Sequence, residues 1–422
     1  MRLIKRKLGM SSNWRVIFAI QTYCMLRYAI GLVALLTIFS SCDSDFKLTG
    51  DYEEKALIYG LLDPNDNPNG AFNPFGVAGG GHLIRIQKAF LGEESAFIMA
   101  QNPDSSYFRY EDLFVEMIEY NGTSESNRWV LDTVMISNKD TGIADDGVID
   151  FFGPTQRLYK TRTDGSVSQN VNVIPSREYS ITLKKRPAGV TTMTIANMAD
   201  VEPIADSRTE IVDAESFRWN TPNENSPSFP GTTRKLDLFN TSGEFKDYTI
   251  RFDAADKVRQ YEVWLRFYYR EIVLGVETEK SLEWRVSTFE LESGVSDWQV
   301  QLNSEAIFSR IGSSIQPEPN VIRYIGLAEN HPNDPHPNDN NSHDFDFEIR
   351  LAGNDLFEYI DINNPTNSGA LQDKPVYTNV NNGLGIFSSR SEVKFEGLWL
   401  SASANQQLVD GVYTSGLGFT DD

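Results

Sequence analysis

Residues 345–351 read FDFEIRL, and their alternation decides the fold: Phe345, Phe347, Ile349 and Leu351 fall on one side of an extended chain, Asp346, Glu348 and Arg350 on the other. A hydrophobic period of two, not 3.6, marks a strand with one face against a core. The pattern recurs where Tyr248, Ile250 and Phe252 alternate with Thr249, Arg251 and Asp253. It returns with Tyr179, Ile181 and Leu183 in EYSITLKK (178–185), and with Leu282, Trp284 and Val286 in SLEWRV (281–286). HLIRIQKAF (82–90), LFVEMIEY (113–120), NRWVLDTVMI (127–136) and VKFEGLWL (393–400) extend the set. Such segments suit packed sheets better than a parallel sheet clothed in helices.

The expected fold class is therefore mainly β: an N-terminal β-sandwich-like domain over residues 55–200, then a second β-rich domain over 201–422 with a short helix. The acidic stretch NMADVEPIADSRTEIVDAES (197–216) reads as an exposed crossing between the two. The helix is expected in SEAIFSRIGSSI (304–315), with Ser304 as N-cap and Ile307, Phe308 and Ile311 along one side. GLLDPNDNPNGAFNPFGVAGGG (60–81) is too rich in Gly, Pro and Asn for regular structure and reads as a long excursion between the first two strands.

The 422 residues include 38 Lys plus Arg against 59 Asp plus Glu, and a net charge of −21 argues against nucleic acid as a partner. The first 41 residues run the other way, with six basic side chains, no acidic one, and the apolar stretch YAIGLVALLTIF (28–39) before Ser40, Ser41 and Cys42. Its 12 residues match the apolar region of a signal peptide. They fall short of the roughly 20 that span a membrane as a helix. FSSC (39–42) resembles the lipobox of bacterial lipoproteins, which implies removal of residues 1–41 and acylation of Cys42. An uncleaved anchor is the alternative, and initiation at Met25 would also leave a complete signal.

Residues 42–422 carry 32 basic and 59 acidic side chains, a charge of −27, and Cys42 is their one cysteine, so the mature chain has no intrachain disulfide. Residues 42–54 form an acidic tether. Within it Asp43, Ser44 and Asp45, followed by Phe46, resemble the export signals of surface lipoproteins in the Bacteroidetes. That resemblance implies an outer-membrane, cell-surface location, with retention on the periplasmic leaflet as the alternative.

Chemical motifs are sparse. NHPNDPHPNDNNSHD (330–344) gathers His331, Asp334, His336, Asp339, His343 and Asp344, all competent metal ligands, yet a solvated loop explains the composition equally. No cofactor is implied elsewhere, and calcium or another divalent metal would fit only there. DPNDNPNG (63–70) fails as a calcium loop because Pro68 replaces the glycine and Pro74 occupies the twelfth position. NKDTGIADDGVID (138–150) lacks the order of ligands in such a loop and reads as a turn. There is no GxSxG elbow, Walker A loop or GxGxxG. Paired carboxylates for hydrolysis stay open, since their separation belongs to the fold.

YEVWLRFYYRE (261–271) is the most suggestive segment: Tyr261, Val263, Leu265, Phe267 and Tyr269 form a core face. The opposite face combines Trp264, Arg266 and Tyr268, aromatic planes with guanidinium donors that can grip a protein surface or a sugar ring. Packing beneath a loop is the alternative. In PVYTNVNNGLGIFSSR (375–390) Gly385 allows close backbone approach before Phe387 enters the core, and Ser388, Ser389 and Arg390 could contact an anion or a peptide.

Taken in order, ALIYGLLDPNDNP (56–68), HLIRIQKAFLGEESAFIMAQNPDSSYF (82–108), YEVWLRFYYRE and PVYTNVNNGLGIFSSR are similar to a family of Bacteroidetes outer-membrane lipoproteins of unknown function, the DUF4249-like group. The resemblance spans about residues 50–400 and implies location and architecture, with no catalytic residues to transfer. Two function classes follow. One is a noncatalytic outer-membrane accessory or interaction lipoprotein, bound to the bilayer through Cys42 and contacting a membrane protein or multiprotein complex through loops and aromatic patches. The other is a surface glycan-binding protein, or a carboxylate-dependent glycan or peptide hydrolase.

Overall fold

The period-two segments become strands because each buries one row of side chains while its backbone groups pair with neighbours. A computed structural model of the protein describes residues 54–66, 81–89, 96–137, 153, 155–161, 171–219, 234–291, 295, 297–328, 331, 342–363 and 376–420. The leader, Cys42, Asp43, Ser44, Asp45, Asp334, His336, Asp339 and NKDTGIADDGVID lie outside the described residues. In chain order the strands begin β1 (Lys55–Leu62), β2 (Leu83–Ala89), β3 (Leu113–Asn121), β4 (Ser124–Val130), β5 (Asp132–Ile136) and β6 (Gln156–Lys160). Next come β7 (Glu178–Lys185), β8 (Ala205–Glu210), β9 (Arg218–Trp219), β10 (Lys235–Leu236), β11 (Tyr248–Asp253), β12 (Gln260–Val273) and β13 (Val276–Glu290). The last are β14 (Asp297–Leu302), β15 (Val321–Ile325), β16 (Phe345–Ala352), β17 (Val380–Asn381), β18 (Gly383–Leu400) and β19 (Phe419–Thr420).

The protein is mainly β, as its periodicity predicts. One sheet runs β19-β15-β12-β16-β18-β1-β2-β6-β5, with β13 paired to β12 and β10 to β18. Two smaller sheets run β17-β8-β7-β3-β4 and β14-β11-β9. The larger core gathers Tyr248, Phe252, Tyr261, Phe267, Phe345, Phe347 and Phe308. The smaller gathers Ile58, Ile84, Met117, Tyr179 and Ile181. Val380 and Phe387 join the smaller core from near the C-terminus, so the two cores change over in sequence near residues 211–217 while β18 serves both. β1 pairs with β18 in parallel from Ala56↔Gly383 to Leu62↔Ser389, across the division expected near residue 200.

Several local expectations need correction. The acidic stretch 197–216 contains β8, whose Ala205, Ser207 and Thr209 are buried, so it is sheet and not an exposed crossing. The helix α1 (Ser304–Ser314) is capped by Asn303, whose side chain accepts from the Ala306 N–H at 2.7 Å, while Ser304 is buried and donates to the Lys246 carbonyl. Among the described residues two further helices of more than five residues, α2 (Asn354–Asn363) and α3 (Ala402–Asp410), went unpredicted. They bury only Phe357 and the pair Ala404 and Leu408 respectively, too little apolar surface to mark a stripe. The close approach expected at Gly385 lies within β18: Gly385 sits at φ +107° opposite Ile58, where a Cβ would lie 2.1 Å from the Ile58 carbonyl oxygen.

Candidate functional site

β12 sets up the site by the arithmetic of alternation. Its core row, Tyr261 to Tyr269, is at most 5% exposed. The opposite row meets β16 at Trp264↔Glu348 and Arg266↔Asp346, and meets β13 at Trp264↔Arg285 and Arg266↔Glu283. Glu348 and Arg350 in turn face Lys394 and Glu392 on β18. Registers of this kind lay acids and bases from four strands side by side. Asp346 and Glu348, expected to face water, are each 8% exposed because long neighbouring side chains cover them.

Trp264, Arg266 and Tyr268 are each half-buried and each braced on this face. The indole Nε1 of Trp264 donates to Glu262 at 3.0 Å, and the Arg350 guanidinium lies 4.2 Å above its ring. Arg266 donates to Glu283 at 2.6 Å, and Arg350 donates to the second oxygen of the same carboxylate at 2.6 Å. Burial pushes the Glu283 acidity up in pKa, but hydrogen bonds and charge from Arg266 and Arg350 outweigh it and hold the carboxyl below its ordinary range. Tyr268 donates to Asp346 at 2.6 Å, and burial is the first cause of its raised phenol pKa.

Several clefts flank the brace, and two of them hold buried acids. One, of about 390 Å³, is lined by Asp63, Asp66, Glu262, Arg350, Ile360 and Arg390 among others. Burial pushes Asp63 up to about 7 even though the Asn65 N–H donates to it at 3.0 Å. Burial and the Arg390 charge push His82 down to about 4; its Nδ1 accepts from the Asp63 N–H at 3.3 Å, which requires the neutral ring. The Asn65 side chain donates to Ser391 and to the Glu392 carbonyl. Asp63 and Asn65 thus fasten the end of β1 to β18. Ser388 and Ser389 are buried, and Ser389 donates to the Glu210 carbonyl at 2.7 Å, whereas Arg390 lines this cleft.

The other cleft, of about 700 Å³, is lined by Tyr268, Lys280, His331, His343, Asp346 and Glu396 among others. His343 is 6% exposed and its Nε2 meets Asp346 at 2.6 Å. The Gly397 N–H points between the two, 3.1 Å from the same Asp346 oxygen and 3.2 Å from His343 Nε2. Burial raises Asp346, but bonds from His343, Tyr268 and Gly397 win and lower it overall. Glu396 is raised, first by burial and then by the Asp346 charge.

Of the histidine-aspartate group, His331, His343 and Asp344 are among the described residues; His331 and His343 line one cleft, each paired with its own carboxylate. His331 pairs with Glu279 at 2.9 Å, and His343 with Asp346. Asp344 is fully buried, accepts the Leu400 N–H at 2.8 Å, and is pushed up to about 6 by burial. Among the described residues no three His, Cys, Asp or Glu side chains are placed to hold a metal ion.

No family model matches the chain, and no curated protein matches its sequence. The site rests on its geometry alone. The residues that sequence reasoning missed are Glu283, Asp346, Glu348, Arg350 and Glu396. Alternation placed all but the last on polar faces, but which acid meets which base depends on the registers of β12 with β13 and β16, and of β16 with β18. Among the described residues no helix is long and apolar enough to cross a membrane.

Proposed function

We propose that the protein is a noncatalytic binding lipoprotein of the outer membrane, held at the bilayer through acylated Cys42 and directed to the cell surface by Asp43, Ser44 and Asp45. Its contact surface is the polar side of β12, β13 and β16, with Trp264, Arg266 and Tyr268 as contacts and an outer-membrane protein or multiprotein complex as partner. The observation that carries this reading is the bracing of those three side chains. Each is half-buried and tied to a neighbour on the sheet, so little rotamer freedom is left to lose on binding. The FSSC motif and the distributed resemblance to surface lipoproteins support the location.

Crosslinking in intact cells, followed by mild-detergent extraction, is the test. The expected result is recovery with an outer-membrane complex, reduced by Trp264→Ala, and release or mislocalisation of Cys42→Ser. Recovery of the wild-type chain in isolation, whatever the crosslinker, refutes the reading.

A second reading, a glycan-binding protein or carboxylate-dependent hydrolase, is favoured by a separate observation. Asp346 and Glu396 line one cleft with acidities displaced in opposite directions, the condition that separates a proton donor from a carboxylate partner. Turnover of a polysaccharide or peptide that is lost in Glu396→Gln would reverse the ranking.

A further inference from the structure

The β12–β13 hairpin ends in an apolar apex. Val273 pairs with Val276 across a two-residue turn of Leu274 and Gly275, which sit at φ +53° and +83°. Positive φ at both central positions defines the turn that favours Asn-Gly, so leucine is conformationally costly there. It is costly in solvation as well: Leu274 is 95% exposed and Val276 66%. Val273 is 42% exposed, and Ile322 on β15, the register partner of Ile272, is 46% exposed. Just behind the apex the hairpin turns charged, with Arg270 paired to Glu277 at 3.2 Å and Lys280 paired to Glu271.

We infer that this apex inserts into the surface of a lipid bilayer. The inference rests on the tethered reading above and adds a second point of attachment. Four side chains cannot supply the roughly 800 Å² per partner of a stable protein interface. Val276 alone stands between the turn and Glu277, so the charge lies about 7 Å of strand behind the apex, which matches the ~5–10 Å depth of interfacial apolar groups. Thirteen residues from Cys42 to Lys55 reach at most about 45 Å, so an acylated chain keeps this body within range of the bilayer. A charge of −27 on residues 42–422 disfavours anionic lipid, leaving a zwitterionic surface as the partner.

The test uses the full acylated chain with phosphatidylcholine vesicles and an environment-sensitive fluorescent amino acid incorporated at position 274. A control places the same fluorophore at position 242, an exposed turn on another hairpin. The expected result is vesicle flotation with a blue shift and nitroxide-lipid quenching at 274 but not at 242. Val276→Asp in the labelled chain should lower the ratio of inserted to free label about tenfold, the loss expected for one buried aliphatic side chain. Flotation with a water-like label at 274 overturns the apex and leaves the tether standing. A blue shift on lipid titration without flotation supports the apex and rejects the tether. Neither flotation nor a shift at any lipid concentration overturns both.

Discussion

Arg350 sits over Trp264, its guanidinium carbon 4.2 Å from the ring centroid, while its Nη2 donates to Glu283 at 2.6 Å. One side chain therefore joins the aromatic platform to the carboxylate that also receives Arg266. The polar face behaves as a connected unit, and changes in one member should be felt by the others.

Trp264→Ala should destabilise the fold by only about 1 kcal/mol, because a half-buried ring loses a cation–π contact and partial burial. Phe267→Ala, on the fully buried side of the same strand, should cost about 3–5 kcal/mol. Urea denaturation of both variants checks the contrast. Equal losses would make Trp264 a core residue and remove it as a contact.

Gly385→Ala should break the β1–β18 pairing, since the new methyl would meet the Ile58 carbonyl at 2.1 Å and the backbone is at φ +107°. A loss of about 2 kcal/mol or more is expected. Hydrogen exchange of β1 amides would show faster opening there than in β11, which makes no pairing with β18.

Asp63 and His82 should make opposite contributions to stability versus pH. Asp63 is raised from 3.8 to about 7, so the folded state holds its proton longer and stability is lost as pH rises between those values. His82 is lowered from 6.5 to about 4, so stability is lost as pH falls through that window. Asp63→Asn should therefore leave a stability that climbs from pH 4 to 6.5 more steeply than in the wild type. Thermal melts across that range decide it, and a shallower climb would show that Asp63 is ionised in the fold.

Glu116 and Lys184 form a buried pair at 3.0 Å with side chains 2% and 6% exposed, and Lys184 also donates to the Met198 carbonyl at 2.9 Å. Glu116→Ala strands the ammonium and should cost about 3–5 kcal/mol. Replacing both, as Glu116→Leu with Lys184→Met, should recover most of that loss, because Arg128, which also donates to Glu116 at 2.8 Å, keeps its two bonds to Glu125. Chemical denaturation of the single and double variants measures the difference.

Alternation made the strands legible because it is written locally: FDFEIRL and YTIRFD bury the rows they announce. The close approach at Gly385 was legible for a similar reason, since a glycine before a buried aromatic has few other uses. Both faces of β7 proved buried, since Ser180, Thr182 and Lys184 sit under neighbours that no local pattern names. α2 and α3 were hidden because a helix at the edge of a β body needs only one or two buried residues. The brace around Trp264 was half legible. Its aromatic and arginine members stood out in one segment, while Glu283, Asp346 and Arg350 came from strands brought alongside by pairing. Ser304 was mistaken for a cap because Asn303, equally able to cap, stood one residue earlier.

β1 finds its parallel neighbour only when residues 383–389 have arrived, more than 320 positions later. A nascent or prematurely ended chain thus exposes an unpaired edge and an unfilled core near its own beginning. Contacts so distant in sequence slow folding and make it close to all-or-none. Chains cut before residue 383 should therefore be digested more readily than the whole, because β1 then lacks its parallel partner and the smaller core lacks Phe387.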